Sequence, residues 1–100
     1  MDIQHFVTGD VIELRVTGRI DGEGANRLEE DILQLRGKMT SIYVNLSETT
    51  FLCSAGLRVL LQYWRQMANT GKLFQVTRPS PEVDAVLAMT GFRGVLVEKN

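Results

Sequence analysis

The apolar residues of this chain change period repeatedly along its length, and that alternation leaves few folds open. Val11 to Val16 alternates Ile12, Leu14 and Val16 with Glu13, Arg15 and Thr17, the period-two pattern of a strand with one buried face. A first run, Ile3 to Val7, precedes it across Thr8-Gly9-Asp10, so the two segments read as a β-hairpin. After Gly18-Arg19-Ile20-Asp21 the spacing becomes helical, with Ala25, Leu28, Ile32 and Leu35 on one side and Gly37 near the stop. Ser41 to Leu46 is apolar at nearly every position, which predicts a strand buried on both faces. Ser47-Glu48-Thr49-Thr50 reads as a polar loop leading into Phe51-Leu52-Cys53. The strongest helical stripe follows: Leu57, Leu60, Leu61, Trp64, Met67 and Ala68, closed by Gly71. Leu73 to Thr77 predicts another strand. Pro79-Ser80-Pro81-Glu82 then carries the signature of a helix start, with Ser80 as N-cap, Pro81 at the first helical position and Glu82 beside the positive end of the dipole. Val83, Val86 and Leu87 face inward, Gly91 ends that helix, and Val95 to Val97 suits a last strand.

The expected order is β-β-α-β-α-β-α-β: an α/β fold with a mixed, mostly parallel sheet, an N-terminal β-hairpin and about three helices. At 100 residues the chain matches one domain, expected over 1–100, and 44% apolar against 23% charged residues supplies an ordinary core. Eleven basic residues face twelve acidic ones and are scattered, so no basic track exists for direct nucleic-acid contact. No apolar run nears the ~20 residues of a membrane span, and the start lacks a secretory pattern. One cysteine, Cys53, excludes an intrachain disulfide and fits a reducing compartment; a cytoplasmic location is expected, with no membrane insertion.

Several familiar chemistries fail on their residues. Gly22-Glu23-Gly24 stands between strand and helix, but Arg27 occupies the third glycine position and Asp21 and Glu23 would repel a pyrophosphate. There is no phosphate-loop motif. His5 is the only histidine and has nothing to converge with, so neither a metal site nor a hydrolytic triad is indicated. No cofactor and no enzymatic activity are expected. Trp64, Met67 and Met89 fall on apolar helical faces and read as core. Cys53 lies beside a helix start, an environment that suits a reactive thiol, but no second cysteine or histidine accompanies it. A small spacer is the plainer reading.

The segment around Ser54 carries the functional signal. Ser54, Ala55 and Gly56 stand together where a strong helix begins, and Arg58 follows one turn on. Ser54 as a cap explains a serine; it explains the small neighbours less well, because Gly in a first turn weakens a helix. An approach by something external accounts for all three.

Asn45-Leu46, Phe51-Leu52-Cys53-Ser54-Ala55-Gly56-Leu57-Arg58-Val59-Leu60-Leu61 and Gly18-Arg19-Ile20-Asp21 resemble the STAS domain of bacterial anti-sigma-factor antagonists, and the element order matches over nearly the whole chain. The resemblance implies an anti-sigma-factor antagonist whose Ser54 is phosphorylated by a partner that is both anti-sigma factor and serine kinase. A separate phosphatase would restore the binding form. The docking face would comprise Asp21, Thr49, Thr50, Cys53, Ser54, Ala55, Gly56 and Arg58. The family often has an acidic residue before the acceptor serine and Ser or Thr after it; this chain has Cys53 and Ala55. The rival implication is a STAS scaffold subunit, without phosphorylation, of a signalling assembly or a lipid-transport ATP-binding-cassette complex.

Overall fold

The computed structural model describes residues 1–97. The hairpin forms as expected: β1 (Asp2–Thr8) pairs antiparallel with β2 (Val11–Ile20), Thr8 opposite Val11 across Gly9-Asp10. Helix α1 (Gly22–Leu35) leads to β3 (Ser41–Leu52), which lies parallel to β2; α2 (Ser54–Asn69) leads to β4 (Leu73–Thr77), parallel to β3. The four-stranded sheet has the order β1-β2-β3-β4, and α3 (Pro81–Thr90) and the single turn α4 (Arg93–Leu96) follow.

One face of the sheet is sealed. Ile12, Leu14, Val16, Ile42, Val44, Leu46 and Val76 are wholly buried, together with Leu28 and Ile32 of α1 and Leu60 of α2. The alternate residues Glu13, Arg15, Ser41 and Tyr43 remain half-exposed. The expectation that Ser41–Leu46 is buried on both faces is therefore corrected, although Asn45 is buried. Its amide donates to Glu13 Oε2 at 2.8 Å and its Oδ1 accepts from the Ser47 N–H at 3.0 Å.

The expected loop Ser47-Glu48-Thr49-Thr50 is instead part of β3. Between the pairs Arg15↔Asn45 and Thr17↔Glu48, and again between Gly18↔Thr49 and Arg19↔Phe51, β3 advances one residue more than β2. Such bulges break the alternation from which a strand is recognised. Thr49 is turned into the core, where its hydroxyl donates to Val16 O at 2.8 Å and so satisfies a carbonyl beside the irregularity.

Three further expectations need correction. The buried stripe of α2 contains Val59 and Tyr63, while Ala68 is exposed and Leu61 and Trp64 are half-buried. Tyr63 can enter the core because its hydroxyl donates to Glu29 Oε2 at 3.2 Å; burial, and then that carboxylate, push its pKa up. Met89 is 87% exposed, because a helix anchored by Val83 and Leu87 directs residue 89 away from the core. Val95 and Leu96 belong to α4, closed by the Leu96 N–H on Phe92 O at 3.0 Å, and only Val97 bridges to Val76. A three-residue apolar run does not fix a period, and burial of Leu96 selects the helical turn.

Ser80 does more than cap α3. Its Oγ accepts from the Val83 N–H at 3.2 Å and donates to Thr49 O, and its N–H reaches Leu46 O at 3.0 Å. The helix start is thereby tied to the bulged part of β3. Ser80→Ala removes the cap and strands a buried carbonyl, so a loss of about 2 kcal/mol is expected, read as a fall in the urea midpoint at unchanged slope.

Candidate functional site

Strands β2 and β3 end side by side, and each runs directly into a helix. The Cys53 N–H donates to Ile20 O at 3.0 Å, which sets the first residues of α2 against the turn into α1. Asp21 is the N-cap of α1: its Oδ1 accepts from the Gly24 N–H at 2.9 Å and its carbonyl from the Ala25 N–H at 2.8 Å. The ends of two helices thus share one edge of the molecule.

Ser54 is not the cap of α2. Cys53 holds that place in extended backbone, its Sγ accepting from the Gly56 N–H at 3.4 Å and its carbonyl from the Leu57 N–H at 3.0 Å. Ser54 is the first helical residue. It is exposed, and none of the hydrogen bonds among the described residues uses its hydroxyl. The structural explanation for a serine at this position is accordingly removed. Sulfur is a weak acceptor, whereas serine is a preferred cap. Cys53→Ser is expected to keep or raise the thermal midpoint, with a gain of up to about 1 kcal/mol; a fall would mean the thiol is needed for packing.

The expected docking residues separate into two groups. Asp21, Thr50, Ser54 and Arg58 are exposed, and Cys53 and Ala55 are half-exposed. Thr49 and Gly56 are buried and drop out of the surface. Gly56 serves packing: a Cβ there would lie 2.7 Å from Ile20 Cγ2 and 2.8 Å from Leu52 Cδ1. The cluster of small residues is thus partly internal, because α2 must start close against the ends of β2 and β3.

Two residues join the site that the sequence did not single out as docking residues. Phe51, 38% exposed, lies opposite Arg19 in the ladder, and the Arg19 guanidinium sits 4.1 Å from its ring centre. An arginine two residues before the Asp21 cap and an aromatic three before Ser54 were the available signals, but only the bulge at Thr50 brings them together. Among the described residues, no three His, Cys, Asp or Glu side chains converge as a metal site, and no helix is long and apolar enough to cross a membrane.

An uncommitted Ser54 hydroxyl in the first turn of α2, at the edge where α1 also begins and where Asp21, Arg58 and the Arg19–Phe51 pair are exposed, marks one end of a small α/β module as its candidate docking surface. Residues 6–98 match the family model described as the Mlab STAS domain, and the chain belongs to the STAS domain family. Its fold is that of the anti-sigma factor antagonist SpoIIAA in its unphosphorylated form, with TM-score 0.84 and 20% identity over 99% of this chain and 89% of that one. The phosphorylated form of SpoIIAA, a Bacillus cell fate determinant, gives 0.78 and 20% over 99% and 92%. An anti-sigma factor antagonist from Mycobacterium paratuberculosis gives 0.83 and 22% over 95% and 81%. At these identities the likeness is one of fold.

Proposed function

We propose that this chain is an anti-sigma-factor antagonist whose Ser54 face binds an anti-sigma factor that is also a serine kinase, and that phosphorylation of Ser54 releases the partner. The supporting observation is the exposed Ser54 hydroxyl, left free because Cys53 caps the helix. In the unmodified state Ser54, Asp21, Thr50 and Arg58 form the docking face with the Arg19–Phe51 pair beside them. A phosphoryl group adds roughly −1.5 to −2 charges at the start of α2. The first N–H groups of a helix have no intrahelical acceptor and favour an anion, so the domain keeps its fold. The partner, fitted to a neutral hydroxyl, meets a hydrated anion instead. A phosphatase completes the cycle, and no cofactor takes part.

The second reading is a permanent scaffold subunit of a signalling assembly or a lipid-transport ATP-binding-cassette complex. It draws support from the family model, described as the Mlab STAS domain and not as an antagonist, and from Cys53 and Ala55 around the serine. Incubating the protein with extract of its own cells and ATP, followed by mass spectrometry, separates the two. Phosphate on Ser54 is the expected outcome; an unmodified Ser54 beside a partner that stays bound through the ATP treatment establishes the scaffold role.

A further inference from the structure

The two edges of the sheet differ in a way that the Ser54 site does not explain. At the β4 edge, Val76 is bridged by Val97. At the β1 edge, Asp2–Thr8 is exposed except for the half-buried Ile3, and Phe6 and Val7 are 45% and 55% accessible. Natural edge strands are commonly protected by lysine, proline or a bulge. The sequence Asp-Ile-Gln-His-Phe-Val-Thr has no lysine or proline, and its register with β2 is unbroken.

The orientation of its backbone groups follows from the hairpin. Thr8 and Val11 flank a two-residue connection and form a hydrogen-bonded pair, so Thr8, Phe6, Gln4 and Asp2 direct their N–H and C=O groups at β2. Val7, His5 and Ile3 direct theirs outward. The Met1 carbonyl obeys the same alternation: it is taken by Arg27 Nη1 at 2.8 Å.

We propose that this edge pairs with the same edge of a second copy of the chain, antiparallel about a two-fold axis at His5, extending the sheet across both molecules. In that register His5 exchanges both backbone hydrogen bonds with the partner's His5, and Ile3 does so with the partner's Val7. All the outward groups from Ile3 to Val7 are then satisfied together, which no register shifted by two residues achieves. The side chains agree: Ile3 meets an exposed valine, Asp2 lies beside a threonine, and the only ionisable residue of the strand that faces another is His5, opposite its image. Each His5 is held by Asp31 of its own chain at 2.8 Å, so each imidazole carries a carboxylate with it. A second copy suits the edge better than an unrelated peptide because the strand is complementary to its own reversal. The Ser54 faces stay open at opposite ends of the assembly.

Sedimentation of the whole chain from about 10 μM to about 1 mM tests the pairing, since strand addition alone gives modest affinity. Wild type is expected to shift from monomer to dimer across that range. Val7→Pro removes only an outward N–H, so it should keep the circular dichroism spectrum and weaken the dimer at least tenfold. In a Cys53→Ser background, His5→Cys is expected to form a disulfide-linked dimer on mild oxidation, whereas Phe6→Cys, opposite a glutamine, should not. A monomer at every concentration, a dimer indifferent to folded Val7→Pro, or equal cross-linking through positions 5 and 6 overturns the proposal.

Discussion

Ser54→Asp is expected to lose its partner while keeping, or slightly raising, its thermal midpoint. The two effects have opposite electrostatic origins at one atom position. Within the chain, a carboxylate in the first turn of α2 faces the positive end of the helix, a favourable contact of about 0.3–1 kcal/mol at an exposed site. Helix α2 has no acidic residue in its first turn at present, so nothing already occupies that field. Across the interface, a surface complementary to a hydroxyl must leave a charge without a counterpart. A mismatch of ~2–4 kcal/mol weakens binding by roughly 30- to 1000-fold. Titration calorimetry of wild type, Ser54→Asp and Ser54→Ala against the proposed anti-sigma-factor partner measures this directly. Ser54→Ala should bind within a few-fold of wild type and become insensitive to kinase and ATP. Equal affinities for Ser54→Asp and wild type would rule out a charge switch and leave the permanent-subunit reading.

The parts of the fold that were legible in sequence are those where one period persists long enough to be counted. The alternation of Ile12, Leu14 and Val16, the helical spacing of Ala25, Leu28 and Ile32, and the Ser80-Pro81 helix start all appear where expected. Legibility failed where tertiary packing overrides local pattern. Thr49 is polar yet buried, because a bulge leaves it to satisfy Val16 O from 33 residues away in sequence. Nothing near Thr49 announces that partner. Met89 is apolar yet exposed, and α3 is apolar around much of its circumference, so period alone cannot select which face Val83 and Leu87 anchor. Val95 and Leu96 favour a strand by composition and a helical turn by burial.

At the site the same division holds. The run Cys53-Ser54-Ala55-Gly56 correctly marks the start of α2 and the exposure of Ser54. It does not reveal that Cys53 is the cap, since serine is the better capping residue and stands next in line. Nor does it distinguish a small residue needed by an external partner from one needed by the core. Ser54 and Gly56 are two positions apart, and on a helix that rotates one away from the other by roughly 200°. One therefore faces solvent while the other faces Ile20 and Leu52.

That rotation makes Gly56→Val the most damaging single change expected in the region. The first added carbon already falls within 2.8 Å of two buried side chains. Ile20 is fully buried and branched at Cβ, so its Cγ2 cannot swing aside without leaving its rotamer. Leu52 is 4% exposed and closes the end of β3. Relief must come from backbone motion, with α2 lifting off the strand ends. Overpacking of this kind costs typically 1–3 kcal/mol, and three added carbons place the change near the upper limit, about 3 kcal/mol. The gain in helix propensity over glycine returns only a few tenths. For a domain of this size the thermal midpoint should fall by roughly 12 °C or more. The functional consequence follows from the same displacement: Cys53 leaves Ile20 O, and the Ser54 hydroxyl moves relative to Asp21. Partner binding by the folded fraction should weaken along with stability, whereas Ser54→Asp separates the two. A Gly56→Val protein with a wild-type midpoint would show that α2 can start farther from the sheet, and the internal account of this glycine would give way to the external one.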